Sequence, residues 1–346
     1  MKKNKILIDS LYIHSGGGRT ILAQLINFII EKNLKYKFFF LIDKRLYIDE
    51  VIDLDNGSYF KLVNSERKRR SFYLNYSKNF KAFVCMANIP PPIKINRPVY
   101  IYFQNELFIS PFKTNLLFIN NLKNLFKKIY IKIRSNKSYK WIVQTQFMSH
   151  KLSYKYKLSV KNIEIFPIFN KDFSRNNLKV ENTFIYVSNS SKHKNHNRLF
   201  KAFIDAAIKT KKKISLHITL SDKEYRSSIY YKGKLPDNLE IVNNGILRQR
   251  ELNKIYSKTQ FLIFPSLNES FGLPLIESIN HDCRVIASDL EYVSQVIEPS
   301  ISFNPLSTIS ISESIIKAIN NENHKKSKII VENKIDTFVK YIQNHV

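Results

Sequence analysis

Short runs of uninterrupted apolar residues alternate along the chain with longer stretches in which apolar residues return every three or four positions. Runs of the first kind read as strands buried on both faces. The second kind reads as helices packed on a sheet, and the alternation predicts an α/β architecture with parallel strands. Residues 5–43 show the unit: a strand KILIDS (Lys5–Ser10), a glycine loop HSGGGRT (His14–Thr20), a helix ILAQLINFIIEKN (Ile21–Asn33) and a strand KFFFLID (Lys37–Asp43). Further strands are predicted at Phe83–Asn88, Val99–Asn105, Trp141–Thr145 and Ile163–Pro167, with a helix over Asn115–Arg134. Pro90–Pro92 mark a loop, because proline cannot continue a central strand.

A polar segment, Phe169–Asn182, interrupts the pattern, which then repeats. Strands are predicted at Thr183–Asn189, Lys213–Ser221, Leu239–Gly245, Gln260–Phe264, Arg284–Asp289 and Ser300–Pro305. Helices are predicted at Arg198–Lys209 and Gln249–Lys258, from Pro274 onward, and from about Ser327 to His345. A chain of 346 residues exceeds one compact core. The expectation is therefore two Rossmann-like domains facing across a cleft, residues 1–170 and 171–326, with a closing helix in 327–346 that packs back on the first.

The densest signal is FPSLNESFGLPLIE (Phe264–Glu277). An apolar strand stops at Pro265, and Gly272-Leu273-Pro274 fits a helix entry with proline in the first turn. That places Glu269 in a strand-to-helix loop and Glu277 in the first turns of the helix. Loops at the carboxyl ends of parallel strands are where open α/β sheets bind ligands. Three of the seven glycines are Gly16, Gly17 and Gly18, so bare backbone is needed there, for close approach of a phosphate-bearing ligand or for a tight turn. Ile21 stands where a dinucleotide fingerprint would need its third glycine.

Composition changes the picture in one respect. Net charge is +28, and residues 67–163 hold 20 lysines and arginines against a single acid, Glu106. Coding bias toward lysine does not remove acids from one third of a chain, so a basic surface meeting an anionic partner is expected. The segment Asn115–Arg134 interleaves Leu, Phe and Ile with Lys123, Lys127, Lys128, Lys132 and Arg134, which suits either a core-packed helix or one lying on an anionic membrane. No apolar run reaches the roughly 18 residues of a membrane span. The opening run ILI is too short for a signal peptide. Cys85 and Cys283 match no metal-ligand spacing and read as reduced thiols of a cytosolic protein.

The motifs PSLNESFGLPLIES, RVIASD, YVSNSSKHKNHNRLFKAF and IVNNG followed by LNKIYSKTQFLIFPS resemble the retaining glycosyltransferases of family 4, which have the GT-B fold. The resemblance is strong over about 183–310. It is looser in the first half, through the glycine loop, FQNE, VQTQFMSHKL and IFPIFN. It implies a nucleoside diphosphate-sugar donor, UDP- or GDP-linked, held by Gly17, Gly18, Asn189, Lys194, Glu269, Ser270, Phe271, Gly272, Leu273 and Glu277. Lys194, from the family's Lys-Asn pair, would meet the diphosphate as the bond to the leaving group breaks. Glu269 would orient hydroxyls of the donor sugar, Glu277 would accept from the ribose, and Glu269 and Lys194 are the catalytic candidates.

This sequence departs from the family in three places. Ser188-Asn189 replaces the usual Gly-Arg, and Asn280–Cys283 replaces a loop with glycine and proline. Gln104-Asn105-Glu106 stands where many relatives have a histidine, which leaves His14, Gln104, Asn105 and Glu106 as possible sugar or acceptor contacts. Glu106 is a weak candidate for general base, and the leaving phosphate oxygens are the preferred one. Asp53-Leu54-Asp55 spells a metal-binding triplet of another glycosyltransferase fold but lies in a polar stretch, and no metal or cofactor is expected.

These readings define an expected cytoplasmic hexosyltransferase on the inner face of the membrane. Its acceptor would be a polyprenyl-linked saccharide of O-antigen, lipopolysaccharide or capsule synthesis. The competing readings are a GT-B scaffold that binds a nucleotide sugar without turnover and a nucleic-acid-binding protein, the second of which leaves the glutamate pair unexplained.

Overall fold

The computed structural model describes residues 4–46, 54, 58–109, 118–170, 178–227, 234–320 and 325–344; side chains of 118–124 are not described. The chain divides into two compact units, Met1–Asn170 with Asn333–Val346, and Lys171–Glu332.

The first unit runs β1 (Lys5–Ser10), α1 (Gly16–Glu31), β2 (Phe38–Asp43), β3 (Tyr59–Leu62), α2 (Glu66–Tyr76), β4 (Phe80–Cys85), β5 (Val99–Tyr102), α3 (Phe118–Arg134), β6 (Lys140–Val143), α4 (Gln146–Tyr156) and β7 (Ile163–Ile165). Its strands form one parallel sheet in the order β3-β2-β1-β4-β5-β6-β7. The second unit runs β8 (Val180–Tyr186), α5 (His196–Lys209), β9 (Ile214–Ile218), α6 (Asp222–Arg226), β10 (Leu239–Asn243), α7 (Gln249–Lys258), β11 (Thr259–Phe264), α8 (Leu273–Asn280), β12 (Arg284–Ser288), α9 (Glu291–Ser294), β13 (Ile297–Glu298), β14 (Ile301–Phe303), α10 (Thr308–Asn320) and β15 (Lys328–Ile329). Its main sheet is parallel, in the order β10-β9-β8-β11-β12-β14, and β13 and β15 form a small antiparallel pair. Helix α11 (Ile335–Asn344) completes the first unit.

Each main sheet reverses strand order once, at β1/β4 and at β8/β11. Such a switch point opens a crevice at the carboxyl ends of the two strands concerned. Strands β1 and β2 are buried at every position, as required of a sheet covered on both faces. In the second unit Phe184 of β8 stacks on Phe261 of β11 at 4.9 Å, and Phe203 of α5 meets Phe184 edge-on at 5.2 Å.

Several elements differ from the sequence expectation. The glycines are the first turn of α1, which starts at Gly16, five residues earlier than the apolar periodicity begins. The last helix begins at Ile335: Ser327 instead serves β12, its hydroxyl accepting from the amides of Val285 and Ser300 at 2.8 and 3.1 Å. Helix α2 was unexpected because ERKRRSFYLNY is too charged to show a stripe. Ser65 caps it by accepting from the Lys68 amide, and it buries Arg69, Phe72 and Tyr73. Residues 115–117 and half of the polar boundary segment (171–177) lie outside the described residues, as do Asp53 and Asp55 of the acidic triplet.

Arg69, 1% exposed, donates to Asp9 at 2.8 Å, and the Tyr73 hydroxyl donates to the same carboxylate oxygen at 2.7 Å. Cys85 lies 3.9 Å from the guanidinium, and burial pushes its thiol up to about 12. Removing one partner of a buried ion pair leaves an uncompensated charge. Arg69→Ala is expected to cost about 3–5 kcal/mol, read as a lowered midpoint in urea denaturation.

Candidate active site

Strand β11 delivers Phe264 to the carboxyl edge of its sheet, and the following loop is fastened from several sides. The Ser266 carbonyl accepts from the Tyr292 hydroxyl at 2.7 Å and from the Ser288 hydroxyl at 3.0 Å, while Ser266 Oγ lies 3.0 Å from the Tyr186 hydroxyl. From the neighbouring strand β8 comes the loop 187–195. It is tied to the first because the Leu267 amide donates to the His193 carbonyl at 2.7 Å. Asn195 adopts a left-handed backbone (φ 64), and its buried amide Nδ2 donates to the carbonyls of Pro265 and Pro305 at 3.1 and 2.8 Å.

These ties bring together two of the expected residues. Lys194 Nζ lies 2.5 Å from Glu269 Oε1, with both side chains mostly buried. They stand on the two loops that flank the β8/β11 switch point. Helix α8 then opens at Gly272, whose φ of 82 suits glycine. A Cβ there would come within 2.9 Å of Leu275 Cδ1, a second reason for glycine. Phe271 and Leu273 are buried, so their side chains serve the core and a ligand could meet only their backbone, whereas Ser270 is partly exposed.

Glu277 has a separate partner. It lies on the second turn of α8, where the Tyr256 hydroxyl donates to it at 3.4 Å. Part of its surface is open, yet its carboxyl is set deeply and burial pushes it up to about 7. Its helix ends at His281, whose ring stacks on Tyr256 at 5.6 Å. Here Asn280–Cys283 takes the place of the glycine-containing loop of relatives, with Asp282 supplying the left-handed residue (φ 58).

Where the family's Gly-Arg is replaced, Ser188 donates its amide to Thr219 Oγ1 at 3.1 Å, and exposed Asn189 caps the turn by accepting from the Ser191 amide. His196 Nε2 lies 3.0 Å from the Asn189 carbonyl, which can only accept, so that nitrogen carries the proton. Burial lowers the His196 pKa to about 4, so the ring is neutral near pH 7 and does not replace the missing arginine's charge. A residue missed by sequence reasoning is Glu224, which accepts from the hydroxyls of Ser190 and Ser221. The Ser190 bond above all holds its carboxyl down, to about 2. The capping-box spacing Ser221-Asp-Lys-Glu224 carried that signal.

In the first unit, α1 starts at the glycines, and Gly18 packs under Gln104: a Cβ at Gly18 would sit 2.9 Å from the Gln104 amide nitrogen. Gln104 is fixed by its own backbone amide, which donates to Asn88 Oδ1 at 2.6 Å, and by its side chain, which donates to the Met86 carbonyl at 3.1 Å. Gly17 and His14 are exposed. Asn105 Oδ1 accepts from the Leu107 amide. Glu106 is 5% exposed and paired with Lys151 at 2.9 Å, so its carboxylate is engaged in an ion pair. That arrangement argues against its use as a general base.

Residues 168–337 match the family model described as Glycosyl transferases group 1. This segment is a group 1 glycosyltransferase domain, and the protein has the GT-B fold. The O-antigen chain mannosyltransferase RfbU of Salmonella typhimurium is 31% identical over 124 residues, which span 34% of this chain and 32% of that protein. Among solved structures, Anabaena Alr3699/HepE in complex with UDP-glucose superposes with a TM-score of 0.66 at 12% identity, covering 91% of this chain and 90% of that one. WaaG, a glycosyltransferase involved in lipopolysaccharide biosynthesis, superposes at 0.61 with 11% identity, covering 91% and 89%.

Glu277 supplies a pH test. Its folded-state value of about 7 lies above the ordinary 4.5, so the native state holds a proton that the unfolded chain has released. Its contribution to stability is present below about 4.5 and is lost as pH rises through about 7. In Glu277→Gln, the decline in melting temperature across that window is expected to flatten relative to wild type, measured by differential scanning calorimetry in the absence of nucleotide.

Proposed function

We propose that this protein is a retaining, metal-independent glycosyltransferase that moves a hexose from a UDP- or GDP-linked donor to a lipid-linked or polysaccharide acceptor. The single observation that carries the reading is the Lys194–Glu269 pair at the β8/β11 switch point beside the start of α8. A nucleotide sugar suits both members of this pair, its diphosphate the ammonium and its sugar hydroxyls the carboxylate. As the glycosidic bond breaks, negative charge grows on the leaving diphosphate, where Lys194 and the backbone amides of Ser270–Leu273 stabilise it. Glu269 orients the donor sugar, Glu277 accepts from the ribose, and an oxygen of the leaving phosphate takes the acceptor's proton. Asn189 lines the same edge through its backbone, and Gly17, Gly18 and Gln104 offer a close-approach surface on the first unit. The relatives that act in O-antigen and lipopolysaccharide synthesis, and the one bound to UDP-glucose, favour this substrate class.

The acceptor's membrane setting is supported by α3. Among its described side chains Phe126, Ile129 and Ile133 are exposed on one stripe, with Lys127 and Lys132 beside them. The one acid of residues 67–163, Glu106, is buried against Lys151, so that stretch turns no acid outward among the described residues. No helix among the described residues is long and apolar enough to cross a membrane. A basic, apolar-striped face fits the anionic inner leaflet, where a polyprenyl-linked acceptor would lie.

Incubating the protein with a panel of nucleotide sugars and bacterial lipid extract is expected to release nucleoside diphosphate and add a hexose to a lipid, both seen by mass spectrometry. Lys194→Ala and Glu269→Gln should each lower turnover by about 10²–10³. A wild type that turns over no donor sinks the proposal. The protein should also sediment with phosphatidylglycerol vesicles and be released by high salt, and Phe126→Ser with Ile133→Ser should weaken that binding.

A further inference from the structure

One cluster in the first unit lies outside the residues assigned above to the donor. The buried Asp9–Arg69–Tyr73 network at the carboxyl end of β1 carries a second carboxylate above it. Glu66, the first residue of α2, accepts from Tyr130 of α3 at 2.6 Å and from Arg69 at 3.4 Å through Oε1. Through Oε2 it accepts from Tyr12 of the β1–α1 loop at 2.9 Å. Three elements far apart in sequence thus converge on one carboxylate. Its side chain is 40% exposed, whereas the arginine beneath is 1% exposed. The buried half of this cluster is a foundation and the other half faces solvent.

The chemistry of the outward face is specific. Each phenol spends its single proton on Glu66, and burial, with the Glu66 charge, holds both phenols protonated by raising them well above the ordinary value. What the three groups offer outward is therefore lone pairs: the phenol oxygens and the remaining acceptor capacity of the carboxylate. A face made of acceptors is complementary to a ligand rich in hydroxyl donors. An anion would meet the negative charge of Glu66, although Arg134, 5.9 Å over the Tyr130 ring, is a cation within the same neighbourhood. The positions are also fixed in advance. Tyr12 is held in a left-handed backbone (φ 78) with its amide donating to Asp43 at 3.1 Å, an arrangement that stores strain of the kind found at binding sites. The loop after β1 lies at the β1/β4 switch point, where an open sheet receives ligands. Tyr130 stands four residues after Phe126 and three before Ile133 on α3, so it borders the exposed Phe126, Ile129 and Ile133 stripe.

We propose that Tyr12, Glu66 and Tyr130 form a carbohydrate subsite that receives the acceptor's terminal sugar, with Glu66 as the residue that accepts from its hydroxyls. This inference rests on the transferase reading above and names where that enzyme takes its second substrate.

The probes are octyl glycosides of glucose, galactose, mannose and N-acetylglucosamine, with inorganic phosphate as competitor. Saturation-transfer NMR should show contact with at least one glycoside in wild type, undisturbed by phosphate. Glu66→Gln should weaken that binding about ten-fold, the loss expected of one hydrogen bond to a charged group, and Tyr130→Phe should weaken it less. Nucleotide-sugar binding and slow donor hydrolysis, measured on the same samples, should stay at wild-type values in both variants. A purely structural role would instead lower melting temperature and both activities together. If Glu66→Gln fails to fold, Tyr130→Phe, which keeps the ring, carries the test. Glycoside binding that is absent in wild type, that persists undiminished in the folded variants, or that phosphate displaces overturns the subsite. Failure of wild type to bind any nucleotide sugar overturns the transferase reading instead.

Discussion

The edge of the second unit's sheet where Lys194 meets Glu269 depends on one side chain. Asn195 takes a left-handed backbone that ends the loop after β8 and opens α5. Its amide then clasps the carbonyls of Pro265 and Pro305, which leave the sheet at two other places. Buried carbonyls need donors, and one buried amide supplies both. Because the clasp joins the loop after β8 to the loop after β11, Lys194 and Glu269 meet across a gap of 75 residues. An ion pair on freely moving loops would contribute little; held between fastened loops, it presents one cation and one carboxylate in fixed relation.

The two units use the same topology for different chemistry. Both reverse strand order once, and both gather polar side chains at the carboxyl ends of the strands that flank the reversal. In the second unit those groups include a cation beside the partly exposed start of α8, which suits a diphosphate. The first unit presents a carboxylate held by two phenols, which suits hydroxyl donors. Glu106, the one acid of residues 67–163, is neutralised by Lys151, leaving the surface around it basic. Neither His196, which is neutral, nor Glu224, an anion that orders the Ser188–Ser191 turn, supplies the positive charge of the family's arginine. The proposed function therefore rests diphosphate recognition on Lys194 and backbone amides.

Much of the fold was legible because parallel strands buried on both faces must be continuous apolar runs, and KILIDS, KFFFLID and QFLIF are that. Helices α5 and α7 showed through their periodicity. Elements with weak patterns did not: β3 is a half-exposed edge strand, α2 is mostly charged, and α10 hides Ile311, Ile315 and Ala318 among serines. Periodicity starts α1 at Ile21 because glycine is a poor helix former, whereas the helix opens at Gly16, and at Gly18 the lack of a side chain leaves room for Gln104.

The sequence by itself determined the α/β class, the two-fold repeat of the pattern and the loop that carries Glu269 and Glu277, since each follows from local spacing. Tertiary structure decided the partners. It paired Glu269 with Lys194 and Glu277 with Tyr256, buried Glu106 against Lys151, and raised Glu66 on Arg69 between two tyrosines. Those pairings depend on which strands lie side by side and on how much water is excluded around each carboxylate. Neither quantity is a property of residues close together in the chain.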